Sequence, residues 1–141
     1  MRSETAVLEI HERVRWADVD SAGNLYFAAY TRFMDVAESE LFRSSGYPYR
    51  TLSELDIILP RVHVEFDFFR PALLDDELTL RTRVGGVGVH SIRLHVEVSR
   101  AAETALLAEA TMVTACVNRA RKSVPLPDGL AAALRAQITP G

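Results

Sequence analysis

The stretch "YFAAYTRFMDVAESELF", residues 26–42, decides how this chain folds. Tyr26, Tyr30, Phe33, Met34, Ala37 and Leu41 recur at spacings of three and four, while Arg32, Asp35 and Ser39 fall between them. Such a stripe is the apolar face of a helix. Gly46 and Pro48 follow, one suited to a left-handed residue after the last turn, the other unable to continue it. The spacing predicts a helix over 27–44.

On either side the period drops to two. In "LEIHERVRW" (8–16), Leu8, Ile10, Val14 and Trp16 share one side, and Glu9, His11, Arg13 and Arg15 the other, as in a strand with one wet face. Beyond a loop, "RVHVEFDFF" (61–69) alternates Val62, Val64, Phe66 and Phe68 with Arg61, His63, Glu65 and Asp67. "ELTLRTRV" (77–84) and "SIRLHVEV" (91–98) repeat the pattern, and "GGVG" (85–88) between them reads as a hairpin turn. "ALLAEATMVTACVN" (105–118) is less polar on both faces and suits a central strand. "PDGLAAALRA" (127–136) suits a short closing helix. One strand, one long helix and four strands with short connections give an α+β chain with an antiparallel sheet. The sheet's apolar face needs cover, and 27–44 is the one long amphipathic segment available. The sheet is expected to pack around that helix.

At 141 residues and 48% hydrophobic content, the chain has material for one core, hence one domain over 1–141. A net charge of -3 offers no general attraction to nucleic acid or an anionic membrane. The opening "MRSETAVLEI" lacks the apolar core of a signal peptide, and no apolar run is long enough to span a bilayer, so a cytoplasmic protein is expected. The lone Cys116 excludes an intrachain disulfide, and its small apolar neighbours suit buried filler better than a nucleophile.

Several motifs carry chemistry only under conditions. His63 with Glu65, and His95 with Glu97, would offer metal ligands if their strands were adjacent; a wet face of cross-strand charge pairs uses the same residues, and no metal is assigned. "GGVG" opens no helix and so is no phosphate loop. "NRARKSVPLP" (118–127) places Arg119, Arg121 and Lys122 after the last strand, either as a solvated strand end or as a clamp for ligand phosphates. "WADVDSAGNLYF" (16–27) is turn-rich at Ser21–Asn24, yet holds two carboxylates, Asp18 and Asp20, between a strand end and a helix entrance. Unpaired N–H groups at a helix entrance can hold a developing oxyanion, and a carboxylate beside them is a natural base or nucleophile.

Residues Arg15–Phe27, followed by Tyr30, Phe33 and Met34, resemble the entrance motif of hotdog-fold acyl-CoA thioesterases of the 4-hydroxybenzoyl-CoA thioesterase type. The likeness continues through "FRPALLDDELTLRTRV", "GVGVHSIRLHVEVSR" and "LLAEATMVTACVNRARKSVPLP". It implies a five-stranded antiparallel sheet wrapped around one long helix, in dimers whose sheets join and whose active sites lie at the interface. It also implies that Asp20 is the catalytic carboxylate and that the Phe27 backbone N–H is the oxyanion donor. Where many relatives carry His or Tyr, Phe27 supplies no side-chain proton relay. Arg119, Arg121 and Lys122 would hold the coenzyme A nucleotide, with His90 and Ser91 as pantetheine or phosphate contacts. No cofactor is implied. The substrate is an acyl-CoA or an acyl-carrier thioester, and the protein a homodimer or homotetramer. The rival readings are a thioesterase for carrier-bound acyl or polyketide chains, and a non-catalytic acyl-CoA-binding domain.

Overall fold

The apolar stripe closes into α1 (Tyr30–Ser44), which buries Tyr30, Phe33, Met34, Ala37, Leu41 and Phe42, in a computed structural model that describes residues 8–138. A single 3-10 turn, Phe27–Ala29, leads into it, so the predicted span is helical throughout with a tighter start. The helix stops where Gly46 takes φ 86, a left-handed conformation that side chains disfavour. Pro48 then caps a six-residue helix, α2 (Tyr49–Glu54), in what the sequence reads as loop. Its one buried side chain, Leu52, is too little for a periodic signal.

Five strands form one antiparallel sheet in the order β1-β3-β4-β5-β2: β1 (Leu8–Arg13), β2 (Arg61–Phe68), β3 (Glu77–Val87), β4 (Ser91–Arg100) and β5 (Leu106–Ala115). Leu78, Leu80 and Val84 of β3, Leu94, Val96 and Val98 of β4, and Ala110 and Met112 of β5 are sealed in the core. Alternation puts these on one face, the face α1 covers. β5 lies between β4 and β2, the central place its composition suggests. The closing helix α3 (Asp128–Arg135) buries Leu130 and Leu134. This is the hotdog architecture.

Three expectations are corrected. β1 ends at Arg13, and a 3-10 turn at Trp16–Asp18 swings Trp16 outward to 80% exposure, so only Val14 of the supposed continuation is core. "GGVG" is no turn in itself. β3 runs through to Val87, and the register shift between Val84 and Gly86 makes Gly85 a bulge. There the Arg93 side chain comes within 3.3 Å of where a Cβ would sit. Finally, the apolar alternation of β2 is real, but the chain leaves it largely uncovered: Val62 is 63% exposed, and Val64 and Phe68 are also exposed. Among the described residues, β2 is an edge strand paired only with β5.

Candidate active site

The two carboxylates of the entrance loop have opposite fates. Asp18 is buried; Oδ1 accepts from Arg32 Nε at 2.9 Å, and Oδ2 from Arg32 Nη2 at 2.6 Å and from the Arg15 N–H at 2.8 Å. Burial opposes its ionisation, but the Arg32 hydrogen bonds, the Arg15 amide and both cations outweigh that and hold the carboxyl below its ordinary range. Arg32 also reaches Glu12 of β1 and the Arg13 carbonyl. Asp18 therefore ties the loop and β1 to α1.

Asp20 is exposed. Its Oδ1 accepts from the Ala22 and Asn24 amides at 2.9 and 3.1 Å, which folds Ser21–Asn24 into a turn around it. Oδ2 accepts no hydrogen bond among the described residues. Val19 bridges Leu25, and the Tyr26 N–H donates to the Asp18 carbonyl at 3.3 Å, so the loop doubles back to the helix entrance. Phe27 stands there 74% exposed, and none of the described residues accepts from its N–H. A carboxylate oxygen and an amide N–H are thus both open on one loop.

Two depressions flank this loop. One, of about 440 Å³, is bordered by Trp16, Val19, Asp20 and the turn. The other, of about 310 Å³, is an apolar groove walled by Leu25, Phe27, Tyr30, Phe68 and Phe69, with Arg70 in its lining. Asp20 and Phe27 share the loop but border different depressions.

The remaining predicted site residues gather at the opposite end of the sheet. The Cys116 N–H donates to the His90 carbonyl at 2.8 Å, and the Asn118 N–H to the Lys122 carbonyl at 2.9 Å. This places His90, Ser91 and the basic turn where β4 begins and β5 ends. The loop of Asp20 contacts the other end, with Leu25 N–H on the Ala72 carbonyl and Leu74 N–H on Gly23. A ten-residue strand separates the two groups by about 30 Å. Arg119 is engaged with Ser53 through two 2.8–2.9 Å bonds and lies 3.6 Å from Asp56, whereas Arg121 and Lys122 are exposed and their side chains find no acceptor among the described residues.

Elsewhere, His63 pairs with Glu65 at 2.8 Å, and Arg83 with Glu97 at 2.9 Å. The two His–Glu pairs do not come together, because β5 separates β2 from β4. Cys116 is buried, and burial pushes its thiol up, the wrong direction for a nucleophile. Sequence reasoning passed over Glu38, buried in α1, bonded to Tyr49 Oη at 2.7 Å and Arg61 Nε at 3.0 Å. It also passed over Arg70 of the groove; a single Arg after an aromatic run carries no spacing signal.

A five-stranded antiparallel sheet wrapped on one long helix, with a carboxylate loop at the helix entrance, defines a hotdog-fold thioesterase. The chain belongs to the Thioesterase-like superfamily, whose model matches residues 14–134. It is 31% identical over 117 residues to the 1,4-dihydroxy-2-naphthoyl-CoA hydrolase of Synechocystis sp., covering 82% of this chain and 85% of that one. It is also 31% identical over 123 residues to the acyl-CoA thioesterase YbgC of Haemophilus influenzae, covering 86% and 89%. The crystal structure of Slr0204, a 1,4-dihydroxy-2-naphthoyl-CoA thioesterase from Synechocystis, matches with a TM-score of 0.85 at 28% identity, over 92% of this chain and 96% of that one. No helix of the described residues is long and apolar enough to cross a membrane.

Proposed function

We propose that the protein hydrolyses acyl-CoA thioesters, with Asp20 as nucleophile or general base and the Phe27 N–H as oxyanion donor. The supporting observation is the pair of open groups on one loop: the second oxygen of Asp20, and an unpaired amide at the positive end of α1. The amide takes the carbonyl oxygen as it gains charge. Asp20 then either takes a proton from the attacking water, or attacks to form a mixed anhydride that water cleaves. Both routes end in the free acid and coenzyme A. The leaving thiol has a pKa of roughly 8.5, so the thiolate departs without a general acid, and a site lacking one is sufficient.

The separation of the two residue groups fits a two-fold pairing of chains along β2. Among the described residues that edge has unpaired backbone groups and exposed Val62, Val64 and Phe68, so it is built to be covered. An antiparallel β2–β2 pairing reverses one sheet relative to the other. It brings the partner's basic turn toward this chain's helix entrance, where it can take the nucleotide phosphates.

Thiol release from a panel of acyl-CoAs tests the activity. Wild-type chain should release CoA and Asp20→Asn should not; wild-type-like turnover by that variant removes Asp20 from the mechanism. Single-turnover reaction in ¹⁸O water separates the routes, since only the anhydride route can leave label in the Asp20 carboxylate.

A further inference from the structure

Two residues that line the groove beside Phe27 carry polar groups that the proposed chemistry does not use. Tyr30 is 3% exposed, and its ring packs on Phe33, Phe66 and Phe68 with centroids 6.4, 6.1 and 5.1 Å away. Its hydroxyl has no hydrogen-bond partner among the described residues, and burial alone pushes its pKa up to about 12. Tyr30 is one of the residues that line the groove, and its hydroxyl is not among those sealed without a partner in the core, which are Thr82 and Thr114. It is a neutral donor throughout the physiological range. Leaving such a donor unpaired inside a protein is costly, and a ligand oxygen relieves that cost. The second group is Arg70, among the described residues the one charged side chain in the groove's lining, and no carboxylate of those residues pairs with it.

An apolar wall with one neutral donor and one unneutralised cation matches a ligand with an apolar stem and an anionic oxygen group. We propose that this groove is the acyl subsite and selects acyl groups bearing a second carboxylate, with Tyr30 donating its O–H to that carboxylate and Arg70 balancing its charge. The substrates would be CoA thioesters of dicarboxylic acids, a class that deepens the thioesterase reading and rests on it. The apolar stem lies against Phe27, Phe68 and Phe69, and a hydrogen bond to a charged acceptor adds selectivity that apolar contact alone does not give.

The test compares adipoyl-CoA with hexanoyl-CoA, which differ only at the far end of the acyl chain. Wild-type kcat/KM should favour adipoyl-CoA at least about tenfold, and Tyr30→Phe and Arg70→Gln should each cut that ratio about tenfold, one charge-assisted hydrogen bond's worth. Tyr30→Phe keeps the ring and therefore the packing. Equal wild-type rates on the two substrates overturn the proposal. So does an equal loss on both in Arg70→Gln, which would put that guanidinium on a phosphate common to all CoA thioesters. If no thioester is hydrolysed, the thioesterase reading fails by itself, and equilibrium binding of the matching non-hydrolysable CoA thioethers decides this proposal. Tighter binding of the carboxylated thioether supports it, and equal binding overturns it.

Discussion

Arg32 grips both oxygens of Asp18, at 2.9 and 2.6 Å, while the carboxylate two positions along, Asp20, keeps one oxygen free. Two positions apart and chemically identical, the two acids divide structure from chemistry.

Their asparagine variants should separate accordingly. Asp18→Asn leaves the Arg32 guanidinium facing a neutral group and should lower unfolding free energy by about 2 kcal/mol, less than a fully buried pair because Arg32 is partly exposed. Asp20→Asn should leave the urea midpoint near wild type and reduce kcat by about a thousandfold. Urea unfolding and thiol release on both variants check the division, and an equal loss of turnover in the two would reassign the carboxylate.

Asp18 also sets a pH dependence. Its carboxyl titrates below its ordinary 3.8 in the folded chain, so its contribution is complete above that value and is lost as pH falls through the lower folded pKa. The stability gap between wild type and Asp18→Asn should be constant from pH 7 to about 5 and should close in stronger acid. Urea midpoints at pH 7, 5, 4 and 3 measure it; a gap that widens on acidification has the wrong sign.

Charge placed on the uncovered edge should separate the chains. Val64→Arg introduces a cation on the exposed apolar face of β2 and should turn a dimer into monomers in sedimentation analysis, with loss of turnover. Retention of the dimer would exclude β2 as the contact.

If each site combines one chain's helix entrance with the partner's basic turn, two defective chains can repair each other. Asp20→Asn mixed with Arg121→Glu/Lys122→Glu should refold into a population in which half the dimers carry one intact site. Activity at low substrate should then reach about a quarter of wild type. No recovery would mean that both groups serve within one chain. The same double variant alone should raise KM more for CoA thioesters than for short pantetheine thioesters.

The elements that position the site were legible because periodicity reports them directly: the stripe from Tyr30 to Leu41, and the alternation of β3 and β4. Alternation says which side of a strand is apolar and nothing about what covers it, so Val62 and Val64 read as core while standing exposed. Trp16 continued the parity of β1 on paper, and the 3-10 turn at 16–18 broke it, a local event stabilised by Asp18 and the distant Arg32. Gly85 read as turn because glycine marks turns and bulges alike. The spacing puts Tyr30 in the apolar stripe of the helix; it is core by burial and also lines the groove, a second role that exists only once Phe68 and Arg70 are folded beside it.

The open edge of β2 also makes a newly made, solitary chain hazardous. His63, Glu65 and Asp67 charge its outer face, but the backbone donors and acceptors along the edge, with Val62 and Val64 beside them, form a template that any extended segment can join. Symmetric pairing would occupy that template first. The same contact that completes a site would then also guard against aggregation, and dilution or an edge substitution would put solubility at risk along with turnover.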